Sequence, residues 1–373
     1  MPKYPLLIAF TLLSACAKTV DLGQDQSETW RDAPAVGADR TLPQTVYQGG
    51  VRVVAFTVDE TNLYALLEDF SENDRQLRLV SCPADHCQTQ RTTLFSASME
   101  GDVALVSQTE LLLAKGKLYW LSGYGDPASG IARCSTAGCS AGPQDLVETA
   151  GPRLMAIATD GDFVYWLDNE AVMRRAADGT GESESLYRWD IPGPIPMASQ
   201  IIEFGDYLYL SGDLNAGGDS AVFRIRKDGR GTPELIAHGV NIAGLALSSS
   251  GVYFTTAVLT GKVLHCPLSG CASAPEEVVT NQRWPNGIRI ANDAAYFVTG
   301  PPTPAGYPDE RLDTLLTSQL TERSSPRVVA DDLEFGGSDF YSSSVADFAL
   351  NQNSVFWRES TPSRTFSIKR LPR

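Results

Sequence analysis

One short pattern recurs seven times along the chain and leaves few folds open to it. An apolar-aromatic core appears as "NLYALL" at Tyr64, "KLYWLS" at Tyr119, "FVYWLD" at Tyr165, "YLYLSG" at Tyr209, "GVYFTT" at Tyr253, "AAYFVT" at Tyr296 and "SVFWRE" at Phe356. Successive copies lie 43 to 60 residues apart. Each follows a short alternating run, such as "MAIAT" or "LALSS", and a tight turn such as "DETN", "KGK", "DGD" or "ND". Residues that tolerate positive φ, or bond their own backbone, close hairpins of this kind readily. Two further strands follow, as in "VMRRAADGTGESESLYR". Four short antiparallel strands at this period predict an all-β fold, a seven-bladed β-propeller, with six or eight blades as alternatives. A lone four-stranded sheet leaves both faces wet, whereas a ring of sheets buries each face against its neighbours.

The last copy, "SVFWRESTPSRTFSIKRLPR", lacks an outer strand. Residues 41–49, "TLPQTVYQG", resemble the fourth strands "PEEVVTNQ" and "PQDLVETA". This N-terminal segment is therefore expected to complete the C-terminal blade and close the ring. Residues 41–373 then form a single propeller domain, and a hydrophobic content of 43% supplies its core.

The repeat also accounts for the cysteines. Cys-x4-Cys occurs at Cys82/Cys87, Cys134/Cys139 and Cys266/Cys271. Aligned by copy, the hairpin between the third and fourth strands reads "CPADHC", "CSTAGC", "AADGTG", "RKDGRG" and "CPLSGC" in blades 1 to 5. Each Cys pair is expected to face across a hairpin, near disulfide distance, in an oxidising compartment. Zinc would need four converging ligands, and each pair offers two on a separate blade. His86 and His265 stand beside these pairs without the Cys-x-x-Cys-His spacing of a haem attachment.

The seventh cysteine, Cys16, ends an apolar run from Leu6 to Ala15 that follows Lys3. The run is too short to span a bilayer but suits a signal peptide. "LSAC" at 13–16 resembles the bacterial lipobox, which implies removal of residues 1–15 and lipidation of Cys16. Residues 16–40 then read as a small, polar, flexible tether. Ala17 after the cysteine is similar to signals for the outer membrane of Gram-negative bacteria, with the domain facing the periplasm or the cell surface. The formal charge of −15 argues against nucleic acid or anionic headgroups as partners of the domain.

"VYWLDNEAVMRRAADGTGESESLY" resembles a YWTD repeat: Tyr165, Trp166, Asp168, Arg174, Asp178 and Gly179 match its pattern, and Leu167 replaces its threonine. The chain is similar to secreted bacterial lipoproteins with YWTD-like or TolB-like propellers. These motifs are structural and bring no functional residue with them.

No hydrolase elbow, zinc helix or phosphate loop occurs, and the three histidines form no local catalytic motif. "GDLNAGGDS" sets Asp213, Asn215 and Asp219 at even spacing, a weak calcium candidate without the later bidentate glutamate of an EF-hand. No other cofactor is expected. Loops between blades, and those joining second and third strands, would bring Trp189, Trp284, Tyr307, Phe340 and Tyr341 to one face beside acidic residues. Such a face suits a peptide, an envelope protein or a glycan. The expected function is a non-catalytic, lipid-anchored binding or scaffolding module. An outer-membrane assembly scaffold and a calcium-dependent hydrolase or lactonase, to which Asn286, Asn292 and Asp293 would contribute, are the alternatives.

Overall fold

The computed structural model describes residues 42–69, 76–98, 110–122, 130–148, 154–168, 170–188, 200–213, 219–271, 274–300, 313–320, 325–333, 348–360 and 365–373. All of them lie within the unit Ala33–Arg373. They form seven antiparallel sheets of four strands each. Strand β1 (Gln44–Gly49) comes first in the chain. Blade 1 holds β2 (Arg52–Val58), β3 (Asn62–Asp69), β4 (Gln76–Pro83) and β5 (Thr92–Ser98). Blade 2 holds β6 (Leu112–Ala114), β7 (Lys117–Ser122), β8 (Gly130–Ser135) and β9 (Gln144–Glu148). Blade 3 holds β10 (Ala156–Thr159), β11 (Phe163–Leu167), β12 (Ala171–Ala176) and β13 (Glu184–Arg188). Blade 4 holds β14 (Gln200–Phe204), β15 (Tyr207–Asp213), β16 (Asp219–Arg226) and β17 (Glu234–Val240). Blade 5 holds β18 (Ile242–Ser248), β19 (Gly251–Thr256), β20 (Gly261–Cys266) and β21 (Glu276–Gln282). Blade 6 holds β22 (Asn286–Ala291), β23 (Ala294–Thr299), β24 (Asp313–Gln319) and β25 (Arg327–Leu333). Blade 7 holds β26 (Phe348–Leu350), β27 (Ser354–Ser360) and β28 (Phe366–Pro372).

The first strand of each blade neighbours the first strands of the blades on either side, so β2, β6, β10, β14, β18, β22 and β26 surround a central axis. Strand β1 pairs antiparallel with β28, from Gln44 opposite Arg370 to Gly49 opposite Phe366, and supplies the outer strand of blade 7. The fold is the expected seven-bladed propeller, closed by its N-terminal strand.

Each repeat core lies on a second strand, and the alternation of side chains along a strand explains its composition. Leu118 and Trp120 enter the cluster shared with blade 1, whereas Tyr119 and Leu121 enter the cluster shared with blade 3. Both faces of the strand are buried, so its four central positions, Leu118 to Leu121, carry large apolar or aromatic side chains. Seven such clusters, one between each pair of neighbouring blades, carry the core around the ring. At the closing seam Arg358 Nη1 donates to Val53 O at 2.7 Å, and Asn351 Nδ2 donates to Asp59 O at 3.0 Å.

All three Cys-x4-Cys pairs form disulfides, with Cα–Cα distances of 4.8, 5.5 and 5.4 Å. Their setting differs from the expected one. Cys82, Cys134 and Cys266 lie on third strands, but Cys87, Cys139 and Cys271 precede the fourth strands by several residues. The bridge therefore folds the turn back on the third strand and does not join facing ladder partners. Strand register also shifts the copy alignment by one residue. Cys134 stands opposite Leu118 and Cys266 opposite Val252, just as Arg175 stands opposite Val164 and Ile225 opposite Leu208. "RAADGT" and "IRKDGR" are thus the true counterparts of "CSTAGC".

These turns dock on the outer strand of the preceding blade. Cys139 N–H donates to Leu94 O on β5 at 3.0 Å, and Cys271 N–H donates to Ile236 O on β17 at 2.9 Å. Gly179, at φ +83°, lies so near that a Cβ would sit 3.3 Å from Arg133 Nη2 and 3.6 Å from Leu146 Cδ1. Glycine serves there for its conformation and for its size. The docking is reciprocated by an arginine of the preceding third strand. Arg133 donates to Asp178 O at 2.8 Å, Arg174 to Lys227 O, and Arg224 to Leu268 O at 2.6 Å. Each is steadied by its own fourth strand, through Gln144, Glu184 and Glu234 respectively.

Candidate functional site

The hairpins joining first to second strands are short and governed by local chemistry. Lys115–Gly116 and Asn292–Asp293 have positive φ at both central residues, the two-residue turn that matches strand twist. Asn292 and Asp293 therefore build a turn, and Asn292 Nδ2 donates to Gln352 O of blade 7 at 3.3 Å. Asp59 and Asp160 accept backbone N–H bonds within their turns, and the repeat tyrosines reach back to them. Tyr64 Oη donates to Asp59 Oδ2 at 3.2 Å and Tyr165 Oη to Asp160 Oδ2 at 2.9 Å. Burial, followed by the Asp59 carboxylate, pushes the Tyr64 phenol up to about 12.

The residues that resemble a YWTD repeat all have structural tasks. Asp168 Oδ1 accepts from the Glu170 and Ala171 N–H groups at 2.8 Å, and Asp178 Oδ1 from the Thr180 N–H at 2.8 Å. Arg174 lies over the Phe163 ring at 4.8 Å. The histidines are similarly engaged: His265 stacks on Tyr253 at 4.6 Å and faces Glu276 at 3.3 Å, and His86 pairs with Asp85 at 2.7 Å. His238 stands exposed on β17.

Of the five aromatic residues expected on the binding face, Trp189, Tyr307, Phe340 and Tyr341 lie outside the described residues. Trp284 lies within them and is 47% exposed. It sits in the connection from blade 5 to blade 6 at φ +48°, a conformation that a bulky side chain adopts only under constraint. The constraint is visible in the backbone. Trp284 N–H donates to Val258 O at 2.9 Å, and Gly300 N–H donates to Arg283 O at 3.0 Å. The neighbouring connection joins the same lattice, with Ala257 N–H donating to Asn241 O at 2.7 Å. A Cβ on Gly300 would lie 3.3 Å from Trp284 Cβ, so glycine admits the tryptophan at that distance.

Two further apolar side chains stand on this lattice, Leu259 at 58% exposed and Val240 at 50%. Sequence reasoning passed over both, since a single leucine or valine in a loop gives no signal until the turns that gather it are known. Together with Trp284 they put three exposed apolar side chains, an apolar rim, on this hydrogen-bonded frame. Such a frame presents aromatic surface with little ordering cost on binding.

Asn215 and the side chain of Asp213 lie outside the described residues, while Asp219 is exposed at the start of β16. Among the described residues, no three His, Cys, Asp or Glu side chains are grouped to hold a metal ion. No described helix is long and apolar enough to cross a membrane.

Fold and rim define a seven-bladed β-propeller whose ring is closed by an N-terminal strand. Solved structures similar to it include the β-propeller domain of the Trilobed protease from Pyrococcus furiosus, which has an open velcro topology. The likeness has a TM-score of 0.55 at 8% identity and covers 86% of this chain and 97% of that one. The acylaminoacyl peptidase of Pyrococcus horikoshii is similar at TM-score 0.53 and 10% identity, over 83% of this chain and 49% of that one. A prolyl endopeptidase is similar at TM-score 0.49 and 12% identity, over 77% of this chain and 42% of that one. The chain thus spans less than half the length of either peptidase, and at these identities the likeness extends to the fold alone. No family model and no curated protein sequence matches the chain.

Proposed function

We propose that the protein is a non-catalytic recognition module of a Gram-negative envelope, tethered through a lipid on Cys16, whose loop-bearing face binds an envelope protein or glycan. The observation that supports this reading is Trp284, half-exposed and fixed in a left-handed backbone conformation by its hydrogen-bonded neighbours. Strained backbone around an exposed aromatic residue is what a binding anchor needs and what packing alone does not. The rim residues Leu259 and Val240 extend the apolar area around it.

The test uses the full chain as bait, against solubilised envelope proteins and a panel of envelope glycans. Trp284→Ala is expected to weaken capture of the bound species at least about tenfold while leaving the circular dichroism spectrum unchanged. Equal capture by the variant would rule out the rim. Cys16→Ser is expected to move the protein from the membrane fraction to the soluble one. Retention in the membrane fraction would rule out the lipid anchor.

A further inference from the structure

The sequence holds one Asn-Gly dipeptide, Asn286–Gly287, and it opens β22 of blade 6. Such a pair usually makes a hairpin turn. Here it lies inside a strand, two residues beyond Trp284, and the register of β22 on β23 passes over its glycine. Asn286 stands opposite Val298 and Ile288 opposite Phe297, so Gly287 is the extra residue of a bulge. Gly287 has φ +29°, and its N–H donates to the side chain of its own neighbour, Asn286 Oδ1, at 2.9 Å.

That hydrogen bond folds the Asn286 side chain back over the next peptide nitrogen. Cγ lies one C=O bond, about 1.2 Å, from Oδ1 and so comes within reach of the nitrogen. A five-membered ring closes from this approach. Closure needs a second acceptor for the N–H, which must leave Oδ1 before the nitrogen can attack. Blade 5 supplies one. A Cβ on Gly244 would lie 3.1 Å from Gly287 N and 2.7 Å from Thr255 Oγ1, so the nitrogen and the hydroxyl border the space that this glycine leaves. Thr255 is fully buried, and its hydroxyl has no hydrogen-bond partner among the described residues. It can therefore accept from the nitrogen. Asn286 is partly exposed, so water reaches its side chain.

We propose that the fold makes Asn286–Gly287 a site of self-modification, at which Asn286 is converted slowly to aspartate and isoaspartate with Thr255 as a positioning residue. The Gly287 nitrogen gives up its proton and bonds Asn286 Cγ. The Cγ–Nδ2 bond breaks, and the side-chain nitrogen leaves as ammonia with that proton. Water then opens the cyclic imide. Addition at Cγ gives aspartate, and addition at the Asn286 carbonyl carbon gives isoaspartate, whose main chain is one carbon longer. One water enters, one ammonia leaves, and nothing is oxidised. Either product puts a carboxylate at the head of β22, and the second lengthens the main chain beside Trp284. The chemistry does not depend on what the rim binds, so the two proposals fail separately.

The test incubates the full chain at mildly alkaline pH, folded and in urea. Tryptic cleavage after Arg283 and Arg289 releases residues 284–289 as one peptide, and liquid chromatography with mass spectrometry separates its asparagine, aspartate and isoaspartate forms. The folded chain is expected to convert Asn286 at a rate within about tenfold of the unfolded chain, a barrier difference under about 1.4 kcal/mol. Thr255→Val, which removes the hydroxyl at similar volume, is expected to slow the folded chain about threefold and the unfolded chain not at all. Thr255→Ser, which keeps the hydroxyl, is expected to retain the wild-type rate and separates the hydroxyl's role from packing. The proposal is overturned if the folded chain converts more than about tenfold slower than the unfolded one. It is overturned equally if Thr255→Val leaves the folded rate unchanged, or if Thr255→Ser slows it as much as valine does.

Discussion

Blades 2 and 5 fasten their outer turns with a disulfide, and blades 3 and 4 fasten the same turn without one. In blade 3, Arg175 occupies the place of the first cysteine. It donates to Leu146 O on the preceding blade at 2.5 Å and to Gly179 O in its own turn at 3.0 Å. In blade 4 the fastener is Lys227, whose Nζ meets Asp160 Oδ2 of blade 3 at 3.0 Å and Glu203 Oε1 at 2.8 Å. What stays constant is the turn pressed onto the outer strand of the blade before it. The covalent fastener acts largely by restricting the unfolded chain, whereas the polar ones act in the native state. The comparison teaches that the cysteines serve a docking geometry that does not itself require them.

Breaking the covalent fasteners should have the largest effect. Each disulfide closes a small loop and is worth about 2 kcal/mol on the chain-entropy estimate, so three distant bridges sum to roughly 6 kcal/mol. Urea unfolding with and without reductant measures this, and coincident midpoints would show that the bridges contribute nothing. Lys227→Met should cost less, about 2 kcal/mol near neutral pH, because it strands two partly buried carboxylates.

The pH dependence of that loss follows from the two partners. Burial opposes the charge on Asp160, yet the Phe163 N–H and the Lys227 ammonium together hold it below the usual carboxylate range. Its contribution is present above the ordinary aspartate value, about 3.9, and is lost as pH falls through the lowered one. Burial likewise opposes the charge on Lys227, but Glu203 and Asp160 raise it above the ordinary lysine value. Its contribution is complete below that value, about 10.4, and is lost as pH rises past the raised one. The gap between wild type and variant should therefore be widest from about pH 5 to pH 9 and shrink on both sides. A gap independent of pH would assign the loss to packing.

The smallest effect is expected from exchanging one fastener for the other. Arg175→Cys with Thr180→Cys places cysteines at the positions of Cys134 and Cys139. Stability should change by less than about 1 kcal/mol, since a new bridge replaces two guanidinium hydrogen bonds. Failure of the pair to oxidise, by mass and thiol titration, would show that the two turns are not equivalent.

The blades were legible because their signal is local and repeated. Tyr64, Tyr119 and Tyr165 announce second strands, and "TLPQTVYQG" announces the closing one. The docking was not legible, since Gly179 meets Leu146 only once two blades stand side by side. The one-residue slip in aligning "AADGTG" has the same origin: composition marks a turn, but strand register decides which residue sits opposite Val164. Arg289 and Glu110, whose side chains meet at 3.4 Å, lie 179 residues apart and share no motif, so that contact depends on the whole ring. Trp284 was legible as an aromatic residue in a connecting loop, but its backbone conformation and its neighbour Leu259 were not.

The ring is completed by the strand nearest the beginning of the chain, and this sets how it bears force. A pull applied upstream of Gln44 loads the β1–β28 ladder, and with it Val46 and Tyr47 of the cluster between blades 7 and 1, before it reaches any hairpin. That ladder is noncovalent, reinforced at its edge by Gln48 N–H bonding Gln88 Oε1 at 2.9 Å. Under tension from its leading end the propeller would yield at blade 7 first, with the other six sheets still whole.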